Sequence, residues 1–196
     1  MIYLDYNATT PVDPRVVKAM TPYFTEVFGN PSTLYGLGAH AHDAVAHARQ
    51  QVAHLLGAQA SEILFTSCGS ESDNMVVKGV ALTQKAKGKH IITSQIEHPA
   101  ILEALHFLEQ NFGIEVTYLP VDHHGLVDPA DVAAAIRPDT ILVTVMFANN
   151  EVGTIQPIKA IGEICHQQHV LFHTDASQAV GKVPIDVADL QVDFLT

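Results

Sequence analysis

The stretch HTDASQAVGK, residues 173–182, follows the apolar residues Val170, Leu171 and Phe172. It reads as a short buried strand that ends on Asp175 and gives way to a turn of small residues. A run that is apolar on both faces belongs in a sheet covered on both sides. A carboxylate at the end of such a strand must be paired or must shift its pKa. What satisfies Asp175 is therefore the first question the chain poses.

Four other runs share this character: EILFTS (62–67), HIITS (90–94), EVTYLP (115–120) and TILVTVMF (140–147). Between them the apolar period changes to that of helices. In AHAHDAVAHARQQVAHLLG (39–57), Ala41, Val45, Ala48, Val52 and Leu55 fall on one face and Gly57 closes the C-terminus. ESDNMVVKGVALTQKA, AILEALHFLEQNF, PADVAAAIR and PIKAIGEICHQQ read as further helices. Buried strands alternating with helices predict an α/β fold, a mostly parallel, doubly wound sheet with helices on both faces. The final VDFLT looks like the start of one more strand.

Composition narrows the function classes. With 47% hydrophobic and 16% charged residues in 196, the chain can bury a core. Ten Lys and Arg against twenty-one Asp and Glu give a formal charge of −11, which leaves no basic stripe for nucleic acid. No run approaches a membrane span, and MIYLDYNATTP has neither the basic start nor the apolar core of a secretory leader, so cytoplasm is the expected compartment. Cys68 and Cys165 lie far apart in unlike contexts and are expected as free thiols. His40, His47 and His54 recur every seven residues, not at the i,i+4 spacing of a metal pair, so no metal site is expected.

In doubly wound sheets ligands bind beyond the carboxyl ends of the strands. Four segments qualify. SCGSESDN (67–74) is a small turn opening a helix, with Ser70 placed to cap and Asp73 three residues on; its amides suit a phosphate, and an ordinary capped start is the competing account. Neither GxxxxGK[ST] nor GxGxxG follows a strand, which leaves a smaller phosphorylated cofactor. His98, before Pro99, could stack on a flat cofactor or move protons, or could simply cap a helix. FANNEVG (147–153) sets Asn149 and Asn150 after the most apolar strand, where they could orient a ligand or form an Asn-rich turn. Asp175 could pair with a ligand cation, such as the protonated ring nitrogen of pyridoxal phosphate, with Gln178 reaching the phenolic oxygen, or could cap the next helix.

Taken in order, YLDYNATTPVDPRV (3–16), FGNPS (28–32), EILFTSCGSESDN (62–74), KHIITSQIEHPA (89–100), ANNEVGTIQPI (148–158) and HTDASQAVGKVPID (173–186) resemble the class V aminotransferase superfamily of pyridoxal phosphate enzymes of fold type I, and within it the cysteine desulfurases of the NifS/IscS type. The resemblance runs the whole chain. It implies that Gly69 and Ser70 hold the cofactor phosphate and that His98 stacks on the ring and assists proton transfer. It further implies that Asn150 and Gln178 contact the phenolic-oxygen side, and that Asp175 pairs with the ring nitrogen. His98 and Asp175 are thus the expected catalytic residues, and pyridoxal 5'-phosphate the expected cofactor.

By the same resemblance, residues 1–15 are an N-terminal extension belonging to a small domain and 16–196 the first part of the large cofactor-binding domain. The Schiff-base lysine, the persulfide-forming cysteine and the substrate-carboxylate arginine of the family would all lie beyond Thr196. Lys182 matches a different family position. Cys68 stands where the family usually has glycine. The expected function is the N-terminal half of a desulfurase that converts L-cysteine to L-alanine. It would pass sulfur to an acceptor protein such as an iron–sulfur scaffold, as a homodimer when full length and inactive as the half alone. Another class V aminotransferase or lyase, or a non-catalytic binding module, are the alternatives.

Overall fold

The structure is a computed structural model that describes residues 2–196. The chain divides into two compact units between Leu64 and Phe65. In the first, α1 (Pro14–Met20) is capped by Asp13, whose carboxylate accepts the Arg15 N–H at 2.8 Å, and α2 (Pro22–Thr25) comes directly after it. Both begin on proline, whose fixed φ suits a first helical position. The long helix α3 (Gly36–Leu56) ends at Gly57, which takes the left-handed φ of 69° that a C-terminal stop requires.

Two sequence expectations change here. Ala41 is buried as expected, but near the C-terminus of α3 the buried residues are Ala53 and Leu56 while Leu55 is exposed. The buried row lies one residue on from the expected one, because α3 packs against the short 3-10 turn Ala60–Glu62 that returns after Gly57. EILFTS, in turn, is not a strand. Ile63 has extended dihedrals (φ −90°, ψ 124°), yet no ladder forms among the described residues, and Leu64 and Phe65 are exposed. Extended backbone becomes a strand only where a neighbouring edge supplies N–H and C=O groups.

The second unit holds α4 (Gly69–Thr83), β1 (His90–Ser94), α5 (Pro99–Phe112), β2 (Glu115–Leu119), α6 (Pro129–Ala135), β3 (Thr140–Thr144), α7 (Ile158–Gln167), β4 (Leu171–Thr174) and β5 (Phe194–Leu195). All five strands are parallel, in the order β2-β1-β3-β4-β5. The expected doubly wound sheet is therefore present, and VDFLT does begin its last strand.

Alternation along the strands supplies two cores. Ile91, Ile141 and Leu142 pack with Val77, Val80, Ile101 and Leu105 of α4 and α5. Ile92, Val143 and Phe172 pack on the other face with Val132 of α6 and Ile161 and Cys165 of α7. Each such fully buried aliphatic or aromatic side chain contributes roughly 1.5–3 kcal/mol. The chain leaves β1 towards β2 on one side and returns to β3 on the other, so the strand order reverses between β1 and β3. Beyond the carboxyl ends of those two strands lies the crevice where such sheets bind ligands.

Candidate functional site

That crevice contains a cavity of about 880 Å³ whose wall includes Glu97, His98, His124, Asn149, Asn150 and Glu151. His98 is the N-cap of α5, its Nδ1 accepting the Ala100 N–H at 3.1 Å, while the ring stays exposed. Capping and cavity lining are thus compatible: with Nδ1 occupied as an acceptor, the neutral ring carries its proton on Nε2. Asn149 serves the turn. Its Oδ1 accepts the N–H groups of Glu151 (2.9 Å) and Val152 (3.0 Å), and its Nδ2 donates to the Ile96 carbonyl at 3.3 Å. Asn150, half-buried, remains in the cavity wall.

The other expected residues gather at the ends of β4 and β5. Asp175 is 7% exposed; its carbonyl accepts the Phe147 N–H at 2.7 Å, and its Oδ1 accepts the Ser177 N–H at 3.0 Å. Among the described residues no Lys, Arg or His is ion-paired with it. Gln178 accepts from the Lys182 ammonium at 2.8 Å, so Lys182 is turned towards the amide. The start of α4 comes against this turn: a Cβ added at Gly69 would lie 3.0 Å from Ser177 Oγ. Gly69 and Ser70 are therefore beside the Asp175–Gln178 turn, with the helix amides of α4 unpaired by the helix itself.

The expected cap at that helix start is different. The N-cap is Cys68, in extended conformation (φ −168°), so Ser70 is the second residue inside the helix and the Ser70–Asp73 capping box does not form. Glu71 reaches back instead, its Oε2 accepting both the N–H and the hydroxyl of Ser67 at 2.6 Å. The exposed Cys68 thiol is drawn below its ordinary pKa by the Glu71 amide and then by the Ser67 hydroxyl. Burial does the opposite to Cys165, pushing its thiol up to about 12.

Asp73 points inward to a group that no sequence motif assigns. His173, fully buried, meets the Thr144 hydroxyl through Nδ1 (2.8 Å) and Thr196 Oγ1 through Nε2 (3.0 Å), and Thr196 donates onward to Ser72 of α4 at 3.1 Å. Burial lowers the His173 pKa to about 4, so it is neutral at physiological pH. Asp73 Oδ1 lies 3.8 Å from His173 Nε2 without a hydrogen bond, and desolvation, then the charge of Asp175, raises Asp73 to about 7.

Glu97, 5% exposed, is raised to about 8, first by burial and further by Asp175 and Asp73, against the lowering effect of its hydrogen bonds. Glu97 also links the two halves of the site, because it comes after β1 in the cavity wall and feels the charges at the end of β4. Asp73, Glu97 and His173 are the site residues that sequence reasoning missed. The available signal was a polar residue inside an apolar run, as in QIEH and LFHTD.

No helix among the described residues is long and apolar enough to cross a membrane. The class V aminotransferase family model matches residues 2–196. The chain is 56% identical over 195 residues to the cysteine desulfurase IscS of Methanosarcina thermophila, covering 100% of this chain and 48% of that protein. The solved structure of SspA in complex with cysteine superposes with a TM-score of 0.95 at 42% identity, covering 99% of this chain and 56% of SspA. An apo cysteine desulfurase from Thermococcus onnurineus NA1 gives 0.91 at 31% identity, over 99% and 48%. The chain spans about half the length of the curated relatives it matches. From the first strand of the sheet to its last, and with the family match running from residue 2 to residue 196, this chain belongs to the class V aminotransferase family.

Proposed function

We propose that this chain is the cofactor-binding N-terminal half of a cysteine desulfurase, and that the full-length protein takes sulfur from L-cysteine, leaves L-alanine and hands the sulfur to an acceptor protein. The observation that carries the reading is Asp175: a buried carboxylate with no cation of its own, in a turn against which the start of α4 packs closely at Gly69. Those residues fit pyridoxal 5'-phosphate. Its phosphate suits the amides at the start of α4, and its cationic ring nitrogen suits Asp175. When bound, the cofactor supplies an electron sink for the bonds around the substrate α-carbon.

The protein's own share of the chemistry comes from the geometry. The Asp175 carboxylate sits in a low-dielectric place where a cationic partner relieves it. Its Oδ1 is oriented by the Ser177 amide, so the carboxylate does not rotate freely. His98 offers Nε2 to the cavity and can hold or move a proton there, its Nδ1 being fixed by Ala100. Asn150 and Gln178 would hold the phenolic-oxygen side of the cofactor, with Gln178 accepting from the Lys182 ammonium. The neutral chain Thr144–His173–Thr196–Ser72 ties β3, β4 and β5 to α4, which keeps the anion end and the Asp175 end in register.

The half-length match supports a division of labour in which the remaining family functions lie in the rest of the protein. A cytoplasmic setting belongs to the same proposal. Homologues named cysteine desulfurase IscS support the desulfurase reading, and iron–sulfur cluster assembly as the destination of the sulfur and a homodimer as the working form are proposed with it. The test is direct: full-length protein, pyridoxal 5'-phosphate, L-cysteine, a keto acid and a dithiol that reduces the persulfide sulfur to sulfide, with sulfide and alanine quantified. Equal yields of the two sustain the reading; transfer of the amino group to a keto acid without sulfide would replace it with an aminotransferase.

A further inference from the structure

The turn between β1 and α5 and the loop after β3 carry the two cavity residues His98 and Asn150, and two fastenings hold these segments together. One is the Asn149 Nδ2 bond to the Ile96 carbonyl. The other is Glu97. Its Oε1 accepts from the Ser94 hydroxyl, at the end of β1, and from the Met146 N–H at 3.0 Å, just after β3. Its Oε2 is buried and has no hydrogen-bond partner. Ser94 Oγ in turn accepts the Ile96 N–H at 3.3 Å, so the turn leading to His98 is closed upon Glu97.

We infer that Glu97 is a positioning residue that works as a neutral carboxylic acid, holding His98 against the Asn149–Asn150 loop, and that loss of its proton at alkaline pH loosens this fastening. The inference rests on the functional reading above for its effect on catalysis, though not for the proton itself. Oε1 accepts the Met146 amide and pairs with the Ser94 hydroxyl, so the proton of the neutral acid lies either in the Oε1–Ser94 contact or on Oε2. An ionised Glu97 would have no donor for Oε2 and would add a second or third negative charge to one poorly solvated region. The groups facing it are Asp73 from α4, Asp175 from the end of β4, its neighbour His98, and His123, His124 and Glu151 around the cavity wall. Burial, with the charges of Asp175 and Asp73, acts in the same direction as the geometry and holds the Glu97 proton to about pH 8.

Glutamine keeps the acceptor for Ser94 and Met146 and cannot ionise; alanine removes the fastening. The experiment uses the full-length protein with Glu97→Gln and Glu97→Ala. Infrared spectra of the cofactor-free protein at pH 7 are compared first. A neutral-carboxyl band present in the wild type and missing from Glu97→Gln is expected. Thermal melting is then measured against pH: the wild type should lose about 3 °C more than Glu97→Gln between pH 6.5 and 8.5. In turnover at pH 7, Glu97→Gln should stay within roughly threefold of wild-type kcat, while Glu97→Ala should fall by roughly tenfold or more with little change in KM. No difference band, or a Glu97→Gln variant as impaired as Glu97→Ala, would overturn the inference. Failure of the wild type to release sulfide would instead overturn the functional reading and leave the infrared and melting results to decide on Glu97.

Discussion

The two ends of the sheet treat their carboxylates in opposite ways. At the amino ends of the strands, Glu115 meets the Lys89 and Arg137 side chains, and Asp139 meets Arg137 at 2.9 Å. These partners, all partly exposed, hold both carboxyls below their ordinary pKa and Arg137 above its own. At the carboxyl ends, Asp73, Glu97 and Asp175 are buried without an ion-paired Lys or Arg among the described residues, and Asp73 and Glu97 are raised. One end is finished as protein. The other keeps its carboxyls buried without a cation from the described residues, which is the property that makes it the candidate site.

The contrast can be broken by mutation, and the largest effect belongs to Asp175. In the full-length protein Asp175→Ala is expected to lower turnover on the order of 100-fold or more, measured as sulfide released from L-cysteine; near-normal turnover would remove Asp175 from its role. Gly69→Val comes next. Its Cβ would sit 3.0 Å from Ser177 Oγ, and the branched side chain must push the turn that carries Asp175 and Gln178. Cofactor affinity, read by absorbance titration, should weaken roughly tenfold, the equivalent of about 1.4 kcal/mol.

A smaller effect comes from the raised carboxyls. Between their ordinary values and about 7 for Asp73, or about 8 for Glu97, the folded state holds more protons than the unfolded state. Stability that is present in acid is therefore lost as pH rises through that range. His173 acts the other way: its lowered pKa costs stability as pH falls from about 6.5 to about 4. The clean window is therefore above pH 6.5, where melting temperature should fall with rising pH, and Asp73→Asn should flatten the part near pH 7. The smallest effect is expected at the finished end. Arg137→Ala breaks exposed pairs that salt screens, so activity should be unchanged and melting at physiological salt should not move resolvably. A loss of activity there would erase the distinction between the two ends.

Much of this arrangement was legible in the chain, and the failures have physical causes. β1, β3 and β4 were readable because both faces are buried, giving apolar runs such as IITS and ILVT. EILFTS has the same composition but no partner edge, and composition cannot report pairing. The strand-end residues His98, Asn150 and Asp175 were singled out because ligands of such sheets bind beyond the carboxyl ends of the strands. Asp73, Glu97 and His173 were not, since a buried polar residue looks like a helix cap or a turn until the fold brings Thr196, Met146 and Asp175 beside it. The capping box at Ser70 failed for a local reason: Cys68 took the cap position, and Glu71 closed on Ser67.

The most direct measurement is the dissociation constant of pyridoxal 5'-phosphate, by absorbance titration of the cofactor-free full-length protein, for the wild type and Asp175→Asn. Asparagine keeps an oxygen for the Ser177 amide and removes only the charge. Weaker binding, with the spectrum of the bound cofactor displaced from that of the wild type, is the expected result. An unchanged constant and spectrum would mean that the carboxylate left without a cation at the end of β4 is not where the cofactor's charge is met.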